Sequence, residues 1–183
     1  NDTDANFPND NYKKPVKAGL FKKEKTVPSW LEIGALNWRS GDKRVAGFSN
    51  YGKKNVDLFS PGSQLYSTIP DNKYGNASGT SMACPAAAGV AAIIRSYYPE
   101  LSAKQVKDIL INSVVKQDGE VNKPGSTDKV KFSELCVSGG IISATNAVSM
   151  ANNTKAKKSK KAIWQDAGMG KMPKTKKTKA VTP

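Results

Sequence analysis

One stretch near the middle of the chain constrains its fold more than any other. A glycine-bearing turn delivers Thr80 and Ser81 to a segment that reads Ala-Ala-Ala-Gly-Val-Ala-Ala-Ile-Ile over 86–94. A helix that is apolar on almost every side is expected in the middle of a domain, and its small side chains let neighbours approach closely. Pro85 is compatible with the first turn, where its missing N–H is not needed. We predict that the helix ends before Pro99.

The position of Ser81 at the start of this helix has two interpretations. The first turn of a helix has unpaired N–H groups and the positive end of the helix dipole. A hydroxyl there can be a plain N-cap, or it can be a nucleophile whose developing oxyanion is met by those N–H groups. The residue types alone leave both interpretations open.

The net charge is concentrated at one end of the chain. The formal net charge is +14, and 155–179 contains ten lysines and one acid, Asp166, which amounts to nine of those charges. The rest of the chain is only mildly basic, so we do not expect nucleic acid as a partner. The tail, 152–183, has too few apolar residues to bury, with Ile163 and Trp164 as the sizeable ones, and is predicted to be disordered.

The chain of 183 residues contains no histidine. A Ser-His-Asp triad therefore cannot be assembled from this chain alone, and a His-ligated metal site is excluded. The two cysteines, Cys84 and Cys136, fit neither a metal cluster nor a disulfide framework. Cys84 lies on the apolar helix, where we predict a small buried residue. No transmembrane run is recognisable.

Short apolar runs before the central helix predict strands. They end in turn residues, as expected for strands of a parallel sheet. Residues 71–75 are predicted to form a turn. The predicted strands cover 30–36, the beginning of 44–52, 55–60 and 64–69.

After the central helix, Ser102 and Gln105 form a capping box that opens a second helix with an apolar stripe from Val106 to Val114. Residues 116–128 are predicted to be a loop, and a last short helix covers 143–151.

The first 29 residues show no period and are predicted to form a long loop, as if the chain entered its fold midway. Their acidic cluster, Asp2, Asp4 and Asp10, could bind a cation, but a solvated loop is the favoured interpretation.

Several segments together resemble one family. Gly-Thr-Ser-Met-Ala-Cys-Pro at 79–85 resembles the serine-nucleophile motif of the subtilisin-like proteases (subtilases). Ala86 departs from the pattern, because many members carry a histidine there, but that histidine is not the catalytic one. Roughly 30–150 matches in order, which chance does not explain. The further similar segments are 30–37, 46–52, 56–62, 65–68 and 140–144.

The resemblance implies an α/β fold with three layers, α/β/α, around a mostly parallel sheet, of which this chain holds the C-terminal half. Residues 1–151 would be the C-terminal portion of the peptidase domain, and 152–183 a lysine-rich tail. In that family the Asp and His of the triad lie in the half that precedes an Ala-Gly-Asn segment. The implied partner is therefore the N-terminal portion of the same protease.

The resemblance also implies roles for individual residues. Ser81 would attack a peptide carbonyl, and its own N–H would donate to the oxyanion. Thr80 would shape the oxyanion hole, while Gly79 allows the turn and the close approach of substrate. Asn1 is a candidate for the asparagine that supplies a further donor. The Asn-Phe-Pro segment at 6–8 is typical of members with a longer gap, which favours a donor just upstream.

Three hypotheses follow. The favoured one is a fragment of an active serine endopeptidase that hydrolyses peptide or protein substrates. The second is a pseudoprotease that serves as a binding or scaffold module. A pseudoprotease would differ from the active enzyme because it would lack the Asp-x-Gly and His-Gly-Thr segments upstream of this part of the domain. The third assigns the basic tail to nucleic acid or surface adhesion. No cofactor is required, although a structural calcium ion is compatible with the family. The expected location is extracytoplasmic, by analogy alone, and membrane association stays open.

Overall fold

The structure, a computed structural model, describes residues 2–3 and 29–155 and the backbone of 13–16 and 23–26. The strands are β1 (Lys13–Val16), β2 (Lys23–Thr26), β3 (Ile33–Leu36), β4 (Leu58–Pro61), β5 (Leu65–Ile69), β6 (Lys73–Ala77), β7 (Val115–Lys116), β8 (Glu120–Asn122), β9 (Lys129–Lys131) and β10 (Gly140–Ile141). The helices are α1 (Thr80–Tyr97), α2 (Ala103–Asn112) and α3 (Ala144–Asn152), and two 3-10 turns cover Gly41–Lys43 and Phe132–Glu134.

A four-stranded sheet in the order β3-β4-β10-β7 forms the centre of the fold. β3 and β10 both run parallel to β4, and the short β7 at the far edge is antiparallel. The register places Ala35 opposite Ser60, and Ile141 opposite Phe59. The predicted α/β class with a mostly parallel sheet is therefore confirmed.

The two faces of the sheet bury different clusters, because successive side chains of a strand point to opposite faces. Leu58 packs with apolar residues of α1, α2 and α3, among them Ile94 and Leu110. Phe59 points the other way, and its ring meets Phe132 edge-on with 5.1 Å between the centroids. In the described part of the chain, the three helices thus cover one face, and the β8–β9 hairpin with the Phe132 turn covers the other.

The local signals for α1 and α2 act as predicted. The Ser102 hydroxyl accepts from the Gln105 N–H, and the Gln105 side chain accepts from the Ser102 N–H, which completes the capping box. α1 ends at Tyr97, directly before Tyr98 and Pro99. One expectation for α1 is wrong, because the helix is not enclosed. Within the described residues one long face of it is exposed, including Cys84, Pro85, Ala88, Ala92, Ile93 and Tyr97.

Three hairpins were not predicted from the sequence. The expected loop over 1–29 contains the hairpin of β1 and β2. The expected loop over 116–128 contains β8, which pairs with β9. These strands are short and largely polar, so they lack the alternating apolar pattern by which a strand is recognised.

The third hairpin joins β5 and β6, and it replaces part of the predicted turn at 71–75. Pro70, Asp71 and Asn72 make the reversal, the last two with φ of 64° and 53°. Both residue types tolerate this left-handed region, so the turn is tighter than predicted. Lys73–Ala77 forms β6 and leads directly into the residues before α1.

The end of α3 at Asn152 lies next to the predicted boundary between 151 and 152. Of the predicted tail, the structure describes only 152–155. The predicted disorder of the remainder, 156–183, lies outside the described residues.

Candidate active site

Ser81 is the second residue of α1, and its side chain is exposed. The N-cap residue is Gly79, whose carbonyl accepts the N–H groups of Met82 at 3.0 Å and Ala83 at 3.2 Å. Ser81 is therefore not an N-cap, which removes one of the two interpretations of its position.

The first turn of α1 contains N–H groups and a hydroxyl that make no hydrogen bond within the described residues. Among the residues that the structure describes, the N–H groups of Thr80 and Ser81 have no acceptor, and the Ser81 hydroxyl makes no hydrogen bond. Two donors and a hydroxyl thus lie together at the positive end of an 18-residue helix. This arrangement can hold an anionic oxygen beside a reacting hydroxyl.

The ends of β3 and β4 hold the turn before α1 in place. The Gly79 N–H donates to the Gly62 carbonyl at 2.7 Å, and the Gly62 N–H donates to the Leu36 carbonyl at 3.1 Å. A Cβ on Gly62 would lie 2.7 Å from the Ala35 Cβ and 2.8 Å from the Gly79 oxygen. Glycine is therefore required there, and the site stands at the carboxyl ends of parallel strands, where open α/β sheets bind their ligands.

A cleft of about 550 Å³ opens beside Ser81. One wall is the first turn of α1, and another is the beginning of β3 with the residues before it. Of the three residues predicted for the motif, Thr80 and Ser81 line this cleft, whereas Gly79 does not and precedes them as the N-cap of α1. The lining residues are Thr3, Trp30, Leu31, Glu32, Ile33, Asn50, Val56, Thr80, Ser81 and Cys84.

Thr3 brings the beginning of the chain to the cleft, which the sequence did not indicate. Its N–H and its hydroxyl both donate to the Tyr51 carbonyl, at 2.8 and 3.0 Å, and its own carbonyl accepts from Asn55 at 3.0 Å. Asp2 forms a parallel bridge with Tyr51. Asn1, the candidate oxyanion donor, lies outside the described residues.

The prediction for the burial of Cys84 is wrong. We predicted a buried side chain, but Cys84 is exposed and lines the cleft. It follows Ser81 by three positions, so the two share one face of α1. That spacing was visible in the sequence, whereas the openness of this face was not. Cys136 is the opposite case, since it is buried and burial raises the pKa of its thiol.

A buried carboxylate supports the cleft wall from behind. Asp57 Oδ2 accepts the N–H of Glu32 at 2.9 Å, and Lys107 Nζ lies 3.2 Å from Asp57 Oδ1. Burial raises the pKa of Asp57, and the Glu32 N–H and the Lys107 charge counteract that rise only in part. The pair fixes the backbone where β3 begins, next to Leu31 and Ile33, which line the same cleft as Ser81.

Metal ligands are not gathered in this region. Within the described residues, no group of three or more histidine, cysteine, aspartate or glutamate side chains could hold a metal ion. Of the predicted acidic cluster, Asp4 and Asp10 lie outside the described residues. The expectation of a calcium ion therefore has no candidate site in the described part of the chain. In that same part, no helix is both long enough and apolar enough to cross a membrane.

The fold and the site together define an α/β protein that presents an exposed serine where a helix meets the carboxyl ends of a parallel sheet. Comparison with family models gives the particular family. The model described as the subtilase family, Peptidase_S8, matches residues 4–162. The chain belongs to the subtilase family.

Individual relatives agree with this assignment. Subtilisin-like protease 2 of Plasmodium falciparum is 36% identical over 118 residues, which is 61% of this chain and 8% of that protein. Subtilisin DY of Bacillus licheniformis is 44% identical over 82 residues, 45% of this chain and 28% of that protein. The match thus spans less than a third of either relative.

Solved structures share the fold. The A-subunit of the AB5 toxin from E. coli matches with a TM-score of 0.52 and 28% identity, over 66% of this chain and 37% of that one. A protease from Pseudoalteromonas arctica matches with a TM-score of 0.51 and 27% identity, over 67% of this chain and 36% of that one. In both cases the match covers little more than a third of the solved chain.

Proposed function

We propose that this chain is the nucleophile-bearing part of a serine endopeptidase. One observation carries the proposal. The Ser81 hydroxyl faces an open cleft beside two helix N–H groups that have no acceptor among the described residues. A serine placed this way suits acyl transfer, because the charge of the tetrahedral intermediate develops where those donors point.

The reaction follows from the roles of these groups. Ser81 Oγ bonds to the peptide carbonyl carbon, while the N–H groups of Ser81 and Thr80 donate to the carbonyl oxygen as it becomes an oxyanion. The hydroxyl proton passes to a general base and then to the leaving amine as the C–N bond breaks. Water then adds to the ester carbonyl and gives a proton to the base, and that proton passes to Ser81 Oγ as the ester bond breaks and the acid leaves.

The general base has to come from outside these 183 residues. A histidine oriented by an aspartate performs this role in serine proteases of this type, and the chain has no histidine. We therefore propose that a segment preceding this sequence supplies both. Asn1 is a candidate third oxyanion donor, since its neighbours Asp2 and Thr3 are held at the cleft by Tyr51.

Two surfaces of the described part are suited to receive that segment. The exposed face of α1 is apolar, and Ile93 on it is 42% exposed. β3 lies at the edge of the sheet, and beside Ile33 no described strand pairs with its outer side. Apolar helix faces and parallel edge strands are normally covered. A segment seated on both would bring its side chains next to Ser81.

The remaining features of the proposal concern organisation and location. Residues 1–151 belong to the peptidase domain and 152–183 form an appended tail, since α3 ends at Asn152. The substrates are peptides or proteins, which the exposed cleft admits. The proposed location is extracytoplasmic, because subtilases are typically secreted.

Covalent labelling tests the proposal. In the full-length protein, a fluorophosphonate probe should label Ser81, and Ser81→Ala should abolish the labelling. The matched control is Ser67→Ala, an exposed hydroxyl of β5 that should leave the labelling unchanged. Labelling that survives Ser81→Ala would assign the nucleophile elsewhere.

A second experiment tests the missing base. Residues 1–183 alone should not react with the probe, and addition of the preceding portion should restore the reaction. An intact, folded full-length protein that does not label would instead favour a pseudoprotease that binds peptides without cleaving them. The sequence of the preceding portion then decides, because that alternative requires the loss of its Asp-x-Gly or His-Gly-Thr segment.

A further inference from the structure

A cavity of about 520 Å³ lies where the end of α2 meets α3. From α2 it is lined by the last residue of the helix, Asn112, and by the C-cap residue, Ser113. From α3 it is lined by Asn146, Ser149 and Asn153, which follow one another at helical spacing and therefore share one face. The cavity is thus enclosed mainly by amide and hydroxyl side chains.

Several polar groups of this lining make no hydrogen bond within the described residues. The side chains of Asn146 and Ser149 have no partner there. The side-chain N–H groups of Asn112 and Asn153 donate to carbonyls one turn earlier, at 2.7 and 3.1 Å, which leaves both amide oxygens available. A molecule that enters the cavity therefore meets both donors and acceptors.

Ser113 is the residue that points most directly to a ligand. It is 4% exposed, and its side-chain oxygen is buried with no hydrogen-bond partner in the described structure. Its backbone N–H is satisfied, because it donates to the Ile109 carbonyl at 2.9 Å. A buried hydroxyl without a partner costs stability, and a polar group that enters the cavity beside Ser113 would recover that cost.

The charge of the lining excludes ions as well-matched ligands. Among the described residues that line the cavity, none has a charged side chain. An anion would meet no lysine or arginine there, and a cation would meet no carboxylate. The adjoining cavity toward the start of α2 contains charges of both signs, since Asp108 is paired with Lys104 at 2.7 Å and Lys155 lies on the same lining. An uncharged molecule therefore suits this site best.

The size and the mixed polarity of the cavity narrow the class of ligand. Its volume lies within the range of small-molecule sites, about 300–1,000 Å³. Val114 and Met150 add apolar surface to the amides and hydroxyls. The negative end of the α2 dipole also lies here, at Asn112, and favours O–H donors. A sugar ring matches this combination, because its hydroxyls donate and accept while its C–H faces are apolar.

We infer that this cavity binds a neutral sugar, whose hydroxyls bond to Asn146, Ser149 and the Ser113 hydroxyl. The apolar face of the ring packs against Met150. This binding does not depend on the proposed protease chemistry, because the cavity has no lining residue in common with the cleft beside Ser81.

Titration of the full-length protein with glucose, N-acetylglucosamine and maltose, followed by amide NMR, tests the inference. At least one of the three should shift the amides of 112–114 and 146–154 saturably, with a Kd of about 1–10 mM. Glucuronate and glucosamine add a negative and a positive charge that the lining does not match, so both should bind more weakly. If none of the neutral sugars shifts these amides at about 100 mM, the inference is wrong. Tighter binding of either charged sugar would also overturn it.

Two variants of the lining separate binding from packing. Because its hydroxyl has no protein partner, Ser113→Ala should keep or raise the urea midpoint while it weakens sugar binding about tenfold. Asn146→Leu removes an exposed amide and should weaken binding to a similar extent. The matched controls are Ser67→Ala and Asn76→Leu on the β5–β6 hairpin, which should bind the sugar unchanged. Binding that survives both lining variants would place the sugar elsewhere. A lowered midpoint in Ser113→Ala would mean that the hydroxyl is bonded within the protein, which would overturn the inference too.

Discussion

Lys107 and Asp57 form an ion pair that joins α2 to the residue preceding β4, with Nζ 3.2 Å from Oδ1. The Lys107 side chain is 22% exposed and that of Asp57 is 10% exposed. The pair therefore lies at the edge of the core, where water screens it less than it screens a surface pair. The same carboxylate also accepts the Glu32 N–H. Asp57 therefore connects three segments that support the cleft: α2, the start of β4 and the start of β3.

Removal of the lysine should leave the buried carboxylate without its counter-charge. We expect Lys107→Met to lower the free energy of unfolding by about 1–3 kcal/mol, measured by urea denaturation. Lys104→Met is the control on the same helix, because its pair with Asp108 is exposed on both sides. That variant should change stability by less than about 0.5 kcal/mol. Equal losses in both variants would mean that the buried pair contributes no more than a surface pair.

The pKa of Asp57 makes a separate prediction about pH. Burial raises this pKa in the folded protein above its ordinary value of 3.8. A group with a raised folded pKa stabilises fully below its unfolded pKa, and this contribution is lost as the pH rises through the folded pKa. The stability of the unchanged protein relative to Asp57→Asn should therefore fall as the pH rises from below 3.8 through the raised pKa. Urea denaturation of both proteins across that range measures the difference. A relative stability that increases with pH would mean that Lys107 and the Glu32 N–H outweigh burial.

The parts of the fold that depend on local sequence could be predicted. The capping box of Ser102 and Gln105 lies within one helical turn, so the sequence alone indicates where α2 begins. The same holds for the start of α1, since glycine before Thr80 and Ser81 and an Ala-rich run after them define a helix with a hydroxyl at its positive end.

The parts that depend on distant contacts could not be predicted. Asp57 and Lys107 are 50 positions apart, and no local sequence pattern predicts that they pair. The exposure of Cys84 depends on what packs against α1. The sequence of an apolar helix does not indicate whether another element covers it. Thr3 reaches the cleft through bonds to Tyr51 and Asn55, about 50 residues away, so its loop-like sequence gave no signal.

The two thiols should differ sharply in reactivity. Cys84 is exposed in the cleft, whereas Cys136 is buried and its pKa is raised by that burial. Because the thiolate is the reactive form, iodoacetamide should modify Cys84 at least about tenfold faster than Cys136 in the folded chain. Peptide mass spectrometry of the alkylated protein measures both rates.

The same reaction reports on the proposed covering segment. If a preceding portion of the protein seats on the exposed face of α1, its addition should slow the alkylation of Cys84 and leave the already slow reaction of Cys136 unchanged. Cys84→Ser provides the background rate. A Cys84 rate that does not respond to the added portion would contradict the proposed position of that portion, while the labelling of Ser81 separately tests the chemistry.

Gly62 determines how closely the turn before α1 can approach the sheet. A methyl group there would lie 2.7 Å from the Ala35 Cβ, 2.8 Å from the Gly79 oxygen and 3.0 Å from the Ala83 Cβ. Two of these contacts are with the turn and the helix that present Ser81, so Gly62→Ala has to push that first turn away from β3. We expect a loss of about 1–3 kcal/mol in unfolding free energy. Labelling of Ser81 in the full-length protein should also fall, because the oxyanion donors move with the turn.

Gly47→Ala is the matched control for Gly62→Ala, since a Cβ on Gly47 would meet no atom within 4 Å. It should leave both stability and labelling nearly unchanged. If Gly62→Ala lowers stability but keeps full labelling, the turn relaxes without displacing the donors, and the close contact serves packing alone. If labelling falls by more than the fraction of protein that unfolds, the close approach of β4 to the start of α1 determines the geometry of the nucleophile. The second outcome is expected, because the Gly79 N–H donates directly to the Gly62 carbonyl and moves with it.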